Sequence, residues 1–361
     1  MSSEVDKSEL FSQKMCDILN YGALNLAMSV GYESGLFEIL EKFTSAESCS
    51  VIAEKARVSE RYLYEWLGVM VAGEIVDVFK DGDEQELFFL PREHIPFLCR
   101  SGGNSNMGVY TQEIPLLTEC AKSEVLDGMK TGEGISYDNY QSFYRFMEQL
   151  ADAKHRDVLV QTFLPSVLDG EIVSRLAKGI AVCDLGCAEG VALELMSSAF
   201  PRSTFVGIDI SESSIANARE RVAQLGLKNI SFEVLDAAGS SLGRERFDYI
   251  TAFDSIHDQT KPFQALQNIH AMLRPEGVFS MVDIAAESSI SGNRDHPMGP
   301  FLYTVSLMHC MPVGLVDSGA GMGMMWGREK ALEMCRKAGF SRVEAHAIPH
   351  DGFNYHYLCL K

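Results

Sequence analysis

The C-terminal half of the chain alternates short apolar runs with amphipathic helical segments. Helical segments at 191–200, 213–226 and 262–273 separate the runs, and Gly226 is predicted to end the second helix. Strands that alternate with helices are typical of a parallel sheet. The five predicted strands are AVCDL (181–185), TFVGIDI (204–210), SFEVLDA (231–237), DYITAFDS (248–255) and VFSMVDI (278–284).

Three further segments complete the predicted sheet. LRPEG (273–277) predicts a turn before the fifth strand. RVEAHAI (342–348) and NYHYLCLK (354–361) predict an antiparallel pair of strands at the end of the chain. The whole pattern predicts an α/β fold with a Rossmann-like, doubly wound sheet of seven strands.

The N-terminal half has a different, mostly helical pattern. Residues 9–40 predict helices, and residues 51–59 predict a short helix followed by a turn. Ser59 is the predicted N-cap of a helix over ERYLYEWLGVMVA (60–72), where large apolar residues recur at helical spacing. EIVDVFK (74–80), the turn DGDEQ (81–85) and LFFL (87–90) predict a hairpin. Helix, turn, helix and hairpin together predict a winged-helix-like domain.

A stripe of aromatic side chains marks the region between the two patterns. Residues 92–165 predict helices, and Tyr140, Phe143, Tyr144 and Met147 fall on one helical face. We interpret the stripe as core; the alternative is a lid helix over a cofactor. The predicted domains are a helical winged-helix-like domain at 1–165, for dimerisation or as a lid, and a Rossmann-like domain at 166–361.

The net charge narrows the set of partners. The chain has a formal charge of −19 and a sequence pI of about 4.9, so its field repels nucleic acids and anionic membranes. The second helix of the predicted winged helix carries Glu60, Arg61 and Glu65, which favours a structural or dimerisation module over a DNA reader. The sequence contains no uninterrupted run of about 18 apolar residues, so no membrane span is predicted. We expect neither a nucleic-acid nor a membrane partner.

The cysteines and the first residues favour a cytoplasmic protein. Nine cysteines are scattered along the chain without a CxxC zinc pattern, which is typical of reduced thiols. The acidic, polar N-terminus MSSEVDKSEL has the pattern of neither a signal peptide nor a transit peptide. Apolar N-terminal helices predict a homodimer through the N-terminal domain.

The strongest chemical signal is the segment VCDLGCAEG (182–190). Asp184 ends a buried strand, and Gly186, Ala188 and Gly190 follow at steps of two residues. Small residues let the backbone turn sharply and approach a ligand closely. Such a turn alone also occurs in dinucleotide-binding proteins.

Two acidic residues distinguish this turn from that of a dinucleotide-binding protein. Asp184 at the strand end would repel a pyrophosphate and attract an ammonium group. Asp209 follows the second strand, 25 positions after Asp184, where a carboxylate can accept both ribose hydroxyls. After the third strand, Asp236 could accept from an adenine amino group while the Ala237 N–H donates.

The region from about 180 to 285 resembles the core of class I S-adenosylmethionine-dependent methyltransferases. VCDLGCAEG is similar to the family's D-x-G-x-G-x-G motif, with Ala188 at the middle glycine. The resemblance implies that S-adenosylmethionine is the cofactor and S-adenosylhomocysteine the product. The implied cofactor-binding residues are Asp184, Gly186, Ala188, Gly190, Asp209, Ile210, Asp236, Ala237, Phe253 and Asp254.

The whole chain is similar to a group of small-molecule methyltransferases that have winged-helix N-terminal domains. IHDQTKP, LRPEG, GPFLYTVSLMHCM and GMGMMWGREKALEMCRKAGF carry this second resemblance. It implies methyl transfer to an oxygen, nitrogen or sulfur atom of a small molecule, without naming that molecule. Two alternatives are a non-catalytic winged-helix regulator that senses S-adenosylmethionine and a methyltransferase fold redirected to other chemistry.

Two histidines are candidates for a catalytic base. His257 follows the fourth strand at the carboxyl edge of the sheet, where open α/β sheets bind ligands. His309 lies in the Met-rich stretch 288–327, which could line an apolar acceptor pocket. With Asp258 and Cys310 these histidines could form a metal site, but no spacing demands one, and we expect no metal.

Overall fold

The computed structural model describes residues 6–82, 85–240, 242–348 and 351–361. The chain forms two compact units, Met1–Leu116 and Leu117–Lys361. The domain boundary predicted from the sequence, at 165/166, follows the change of pattern rather than spatial compactness, and it stays a prediction.

The first unit contains the predicted winged helix. Its second helix has the predicted bounds, 60–72, and the hairpin forms with residues 83 and 84 of its turn outside the described residues. A short first strand, missed by the sequence pattern, pairs with the hairpin in the order β1-β3-β2. The elements are α1 (Lys7–Glu33), α2 (Leu36–Leu40), β1 (Glu47–Ser48), α3 (Cys49–Ala56), α4 (Glu60–Ala72), β2 (Asp77–Lys80), β3 (Glu86–Phe89) and α5 (Ile95–Leu98).

Trp66 organises the core of this unit. Its ring packs edge-on against Phe37 at a centroid distance of 5.4 Å, and its Nε1–H donates to the Ala27 carbonyl at 2.8 Å. Ser59 occupies the predicted N-cap position of α4, but its side chain accepts no capping hydrogen bond. The predicted position of the N-cap is therefore confirmed, but the capping hydrogen bond expected from the Ser59 side chain does not form.

The second unit is built on the predicted seven-stranded sheet. The strand order is β6-β5-β4-β7-β8-β10-β9. Strands β4 to β8 pair in parallel, and β10 pairs antiparallel with both β8 and β9. The strands are β4 (Ala181–Leu185), β5 (Thr204–Asp209), β6 (Ile230–Val234), β7 (Phe247–Phe253), β8 (Leu273–Ile284), β9 (Arg342–Ile348) and β10 (Asp351–Leu360).

Helices cover both faces of this sheet. Successive side chains of a strand point to opposite faces, and in β4 Val182 joins one buried cluster while Cys183 joins another. Gly226 ends α11 in the left-handed conformation, as predicted. The helices are α6 (Glu113–Thr131), α7 (Gln141–Val158), α8 (Leu164–Ser166), α9 (Glu171–Lys178), α10 (Val191–Ala199), α11 (Glu212–Leu225), α12 (Pro262–Met272), α13 (Gly299–Val305), α14 (Met311–Gly314) and α15 (Arg328–Ala338).

Two local predictions need correction, and a third stretch, 288–327, carries helices for which the sequence pattern makes no prediction. LRPEG (273–277) belongs to β8 as an irregular start, with Glu276 at φ 62° and a register shift against β7. The third strand of the pattern ends at Val234, so Asp236 and Ala237 lie in the following loop. The stretch 288–327 carries helices α13 and α14, which a π-helical turn (Ser306–Cys310) joins.

Within the described residues, no helix is long and apolar enough to span a lipid bilayer.

Candidate functional site

The turn after β4 forms a backbone cradle. Gly186 and Gly190 have φ values of 73° and 75°, a region that favours glycine. A Cβ atom at Gly186 would lie 2.5 Å from the Cβ of Ser255, and one at Gly190 would collide with the Phe232 ring. Larger residues are therefore excluded at both positions for steric as well as conformational reasons.

Ala188 holds the middle of this turn in a strained conformation. Its φ of 45° lies in the left-handed region, which costs a non-glycine residue roughly 1–2 kcal/mol. The Ala188 N–H donates to Asp209 Oδ2 at 2.9 Å, and this bond holds the turn against the strain. Backbone strain of this kind concentrates at ligand-binding and catalytic sites.

Asp209 joins the turn after β4 to the start of α11. Its Oδ1 accepts from the Ser211 N–H at 2.9 Å, while Oδ2 takes the Ala188 bond. A carboxylate offers about four lone-pair positions, and the backbone amides of Ala188, Ser211 and Ile210 leave part of this capacity for a ligand. Burial raises the pKa of Asp209, although hydrogen bonds from these amides oppose this. Ribose hydroxyls fit the remaining capacity.

Asp184 is buried at the end of β4. Thr251 Oγ1 donates to its Oδ1 at 2.6 Å. Burial raises the pKa of Asp184 to about 7, which makes the carboxyl group responsive to a nearby charge. A cation beside it would favour the ionised form.

The loop after β6 holds Asp236 and Ala237. Asp236 Oδ1 accepts from the Ala238 N–H at 2.8 Å. Asn268 Nδ2 donates to the carbonyls of Ala237 and Gly239 at 2.9 Å each, so α12 fixes the shape of the loop. The sequence analysis did not identify Asn268. Ile210, which follows β5, is 63% exposed.

Phe253 and Asp254 end β7 in an enclosed setting. The Phe253 ring contacts the His155 and Phe163 rings at centroid distances of 4.8 and 5.7 Å. Asn354 Nδ2 lies 3.0 Å from both carboxylate oxygens of Asp254. Burial raises the pKa of Asp254 to about 6, and its φ of 48° is a second strained position. Their assignment to the cofactor stays a prediction.

His257 is buried between two carboxylates. Its Nδ1 lies 2.8 Å from Asp283 Oδ1, and its Nε2 lies 3.2 Å from Asp258 Oδ1. Burial lowers the pKa of His257, but the charges of Asp283 and Asp258 outweigh burial and hold it well above its ordinary value. Asp283 was not predicted as a site residue, although it is an acid inside the mostly apolar strand β8.

His309 lies on the π-helical turn and faces the aromatic stripe. Its ring centroid is 4.8 Å from those of Tyr140 and Phe143, and its Nε2 is 3.2 Å from the Tyr144 hydroxyl. Burial lowers the pKa of His309. Tyr140 and Phe143 are fully buried, as the core interpretation predicts, and they also contact a candidate catalytic residue.

Cys310 and Tyr137 connect the candidate residues. Cys310 Sγ lies 3.4 Å from His309 Nδ1, and it also lies within 4.8 Å of ligand atoms of His257 and Asp258. Tyr137, which is 40% exposed, stacks on the Tyr144 ring at a centroid distance of 5.4 Å. The structure therefore brings both predicted histidines together, and Tyr137 adjoins them through Tyr144.

Family models match two segments of the chain. Residues 176–298 match a model described as a methyltransferase domain. Residues 22–100 match an Rv2258c-like winged HTH domain.

Curated relatives match part of the chain. A trans-aconitate 2-methyltransferase from Variovorax paradoxus is 31% identical over 129 residues, which are 35% of this chain and 45% of that protein. A demethylmenaquinone methyltransferase from Listeria welshimeri is 25% identical over 189 residues, 49% of this chain and 76% of that protein. The match thus spans less than half the length of the first relative.

Solved structures match over nearly the full length. Human N-acetylserotonin methyltransferase, solved with S-adenosylmethionine, aligns with a TM-score of 0.65 and 15% identity over 100% of this chain and 99% of that one. An O-methyltransferase family protein from Burkholderia thailandensis aligns with a TM-score of 0.64 and 14% identity over 99% and 98%. At these identities the likeness shows the fold.

Proposed function

We propose that this chain, which carries a methyltransferase domain behind a winged helix-turn-helix domain, transfers a methyl group from S-adenosylmethionine to a small molecule. The main support for the proposal is the backbone cradle at 186–190. A hydrogen bond from the Ala188 N–H to Asp209 holds this cradle in place. The acceptor atom is an oxygen, nitrogen or sulfur. Hydroxyl acceptors are favoured, since similar structures are O-methyltransferases.

The residues of the cradle fit S-adenosylmethionine. When bound, this cofactor supplies a methyl group already activated on a sulfonium. Asp209 would accept hydrogen bonds from the ribose hydroxyls. Asp236 would accept one from the adenine amino group, and the Ala237 N–H would donate one to the adenine. Gly186, Ala188 and Gly190 would allow close approach of the backbone.

The methionine end of the cofactor would lie by Asp184. With a pKa of about 7, this carboxyl group is mostly neutral at pH 6 and mostly ionised at pH 8. Since the ionised form attracts the cationic cofactor, we expect S-adenosylmethionine to bind about tenfold more tightly at pH 8. Calorimetric titration at both values measures this.

The Asp184→Asn variant is the control for that pH dependence. It keeps the size of the side chain and removes the titrating group, so any remaining pH dependence belongs to the ligand or to other residues. Equal pH dependence in the variant and the wild type would rule out Asp184 as the source.

His257 is the proposed base. Its Nδ1–H donates to Asp283, which fixes the ring. Because Asp283 and Asp258 hold the pKa of His257 well above its ordinary value, Nε2 accepts the acceptor's proton only in the fraction of molecules in which the ring is neutral. Positioning supplies the rest of the catalysis, because the methyl group needs no further activation. His309, which burial keeps neutral, would bind the acceptor and is the second candidate base. A protein that only senses S-adenosylmethionine would not need the two buried histidines, His257 and His309.

The test is a screen of small hydroxyl, amine and thiol compounds for release of S-adenosylhomocysteine. We expect release that depends on both the compound and S-adenosylmethionine. Binding of the cofactor without release for any compound class would favour the regulator hypothesis instead.

We further propose that the chain forms a homodimer through α1. Large apolar side chains on one face of this helix are exposed, among them Phe11 at 62%, Ile18 at 51% and Leu19 at 68%. Contiguous apolar patches of this kind mark protein interfaces. We place the protein in the cytoplasm, because its nine cysteines are all unpaired.

A charge in the exposed face of α1 should break the dimer. We expect Leu19→Glu to shift the protein from dimer to monomer in analytical ultracentrifugation, because the interface would bury an unpaired carboxylate. Tyr62→Glu is the matched control, since Tyr62 is 80% exposed on α4. A wild-type protein that is monomeric throughout the micromolar range would contradict the proposal.

A further inference from the structure

Three side chains with metal-binding atoms meet beside the proposed base. His257 and Asp258 come from the loop after β7, and Cys310 comes from the π-helical turn. The ligand atoms that they offer all lie within 4.8 Å of one another. Imidazole, thiolate and carboxylate are the ligand types that Zn²⁺ takes in proteins. His309, which the sequence analysis grouped with them, is not part of this cluster.

The surroundings of His257 match those of a metal ligand. Its Nδ1 bonds to Asp283, so Nε2 is the ring nitrogen that faces Asp258. A metal-ligating histidine almost always donates its other N–H to a carboxylate or carbonyl, which fixes the ring. Asp283 is buried and is held in place on β8, so it can serve that purpose without binding the metal itself.

Asp258 places a further buried carboxylate oxygen at the same point. Its side chain is 15% exposed, and its Oδ1, which has no well-aligned hydrogen bond, forms an ion pair with His257 Nε2 at 3.2 Å. A cation between Nε2 and Oδ1 would bind both atoms in place of the Nε2 proton.

The charges at the cluster favour a cation. Asp258 and Asp283 both lie against the single imidazole of His257. A metal would displace the proton of the Cys310 thiol and the proton on Nε2 into solvent and bind the thiolate.

We propose that His257, Asp258 and Cys310 bind one thiophilic divalent cation, of which Zn²⁺ is the physiological example, with a fourth position left open. This inference rests on the proposed function in one respect: the cation would occupy the Nε2 atom that the base uses. Metal binding and proton transfer at His257 therefore exclude each other, and the bound cation switches methyl transfer off.

Cobalt titration tests the site without any assay of activity. Co²⁺ replaces Zn²⁺ in such sites, and a cobalt–thiolate bond gives a near-ultraviolet charge-transfer band. We expect reduced, chelator-treated protein to develop this band with one Co²⁺ per chain. Zn²⁺ should then displace the cobalt and abolish the band.

Variants identify the ligands. Cys310→Ser should lose the band, and Asp283→Asn, which removes the orienting carboxylate, should weaken Co²⁺ binding about 10- to 100-fold. Cys16→Ser is the matched control, because Cys16 is exposed and far from the cluster in sequence, and it should keep the band. A wild-type protein without the band, or a band that survives in Cys310→Ser, would overturn the proposal.

Binding of S-adenosylhomocysteine to the same samples separates the two proposals. Cofactor binding without a cobalt band would reject the metal site and leave the methyltransferase function standing. A cobalt band that depends on Cys310 in protein that binds no cofactor would reject the function and leave the metal site. Retained cofactor binding also shows that Cys310→Ser is folded.

Discussion

Replacing Asp209 by alanine is expected to weaken binding of S-adenosylhomocysteine by more than about a hundredfold. Two hydrogen bonds to a charged acceptor contribute about 1.5–3 kcal/mol each, and the variant loses both ribose bonds. It also removes the acceptor for the Ala188 N–H, which holds the strained turn in place. Calorimetric titration measures the change.

Two variants separate the ribose contact from the loss of the turn. Asp209→Asn keeps one oxygen for a backbone amide, so it should weaken binding less than alanine does. Glu212→Ala removes a nearby exposed acid at the start of α11 and should leave the affinity unchanged. If Asp209→Ala binds S-adenosylhomocysteine with wild-type affinity, the assignment of Asp209 to the ribose is wrong.

Replacing His257 by glutamine is expected to lower kcat for methyl transfer by a factor of about 10² to 10⁴, the usual contribution of a general base. Glutamine can still donate a hydrogen bond to Asp283, so the buried carboxylate keeps a partner. Affinity for S-adenosylhomocysteine should not change, because Asp209 and the cradle are intact. Release of S-adenosylhomocysteine with an acceptor from the screen measures kcat.

His309→Gln is the comparison for this result. If His309 binds the acceptor, this variant should raise KM more than it lowers kcat. A large loss of kcat in His309→Gln together with near-normal turnover in His257→Gln would transfer the role of base to His309.

The sheet could be predicted because its strands carry a strong local signal. Parallel strands are buried on both faces, so runs such as AVCDL and VFSMVDI are mostly apolar and are bounded by helices of regular period. The irregular start of β8 was missed, since proline and glycine in LRPEG indicate a turn. Tertiary pairing with β7 incorporates these residues into the strand instead.

The turn at 186–190 and its bond to Asp209 could also be predicted from the sequence, because a short motif with fixed spacing builds them. The contacts of the two histidines could not. Asp283 meets His257 only through the pairing of β7 with β8, and Tyr144 meets His309 across 165 positions of the chain. No local pattern encodes such contacts, although a lone acid in an apolar strand is a signal to look for.

Calorimetric titration of the purified protein with S-adenosylmethionine and S-adenosylhomocysteine tests the central claim most directly. We expect both ligands to bind at one site per chain with micromolar affinity. Folded protein, free of co-purified ligand, that binds neither of them would contradict it.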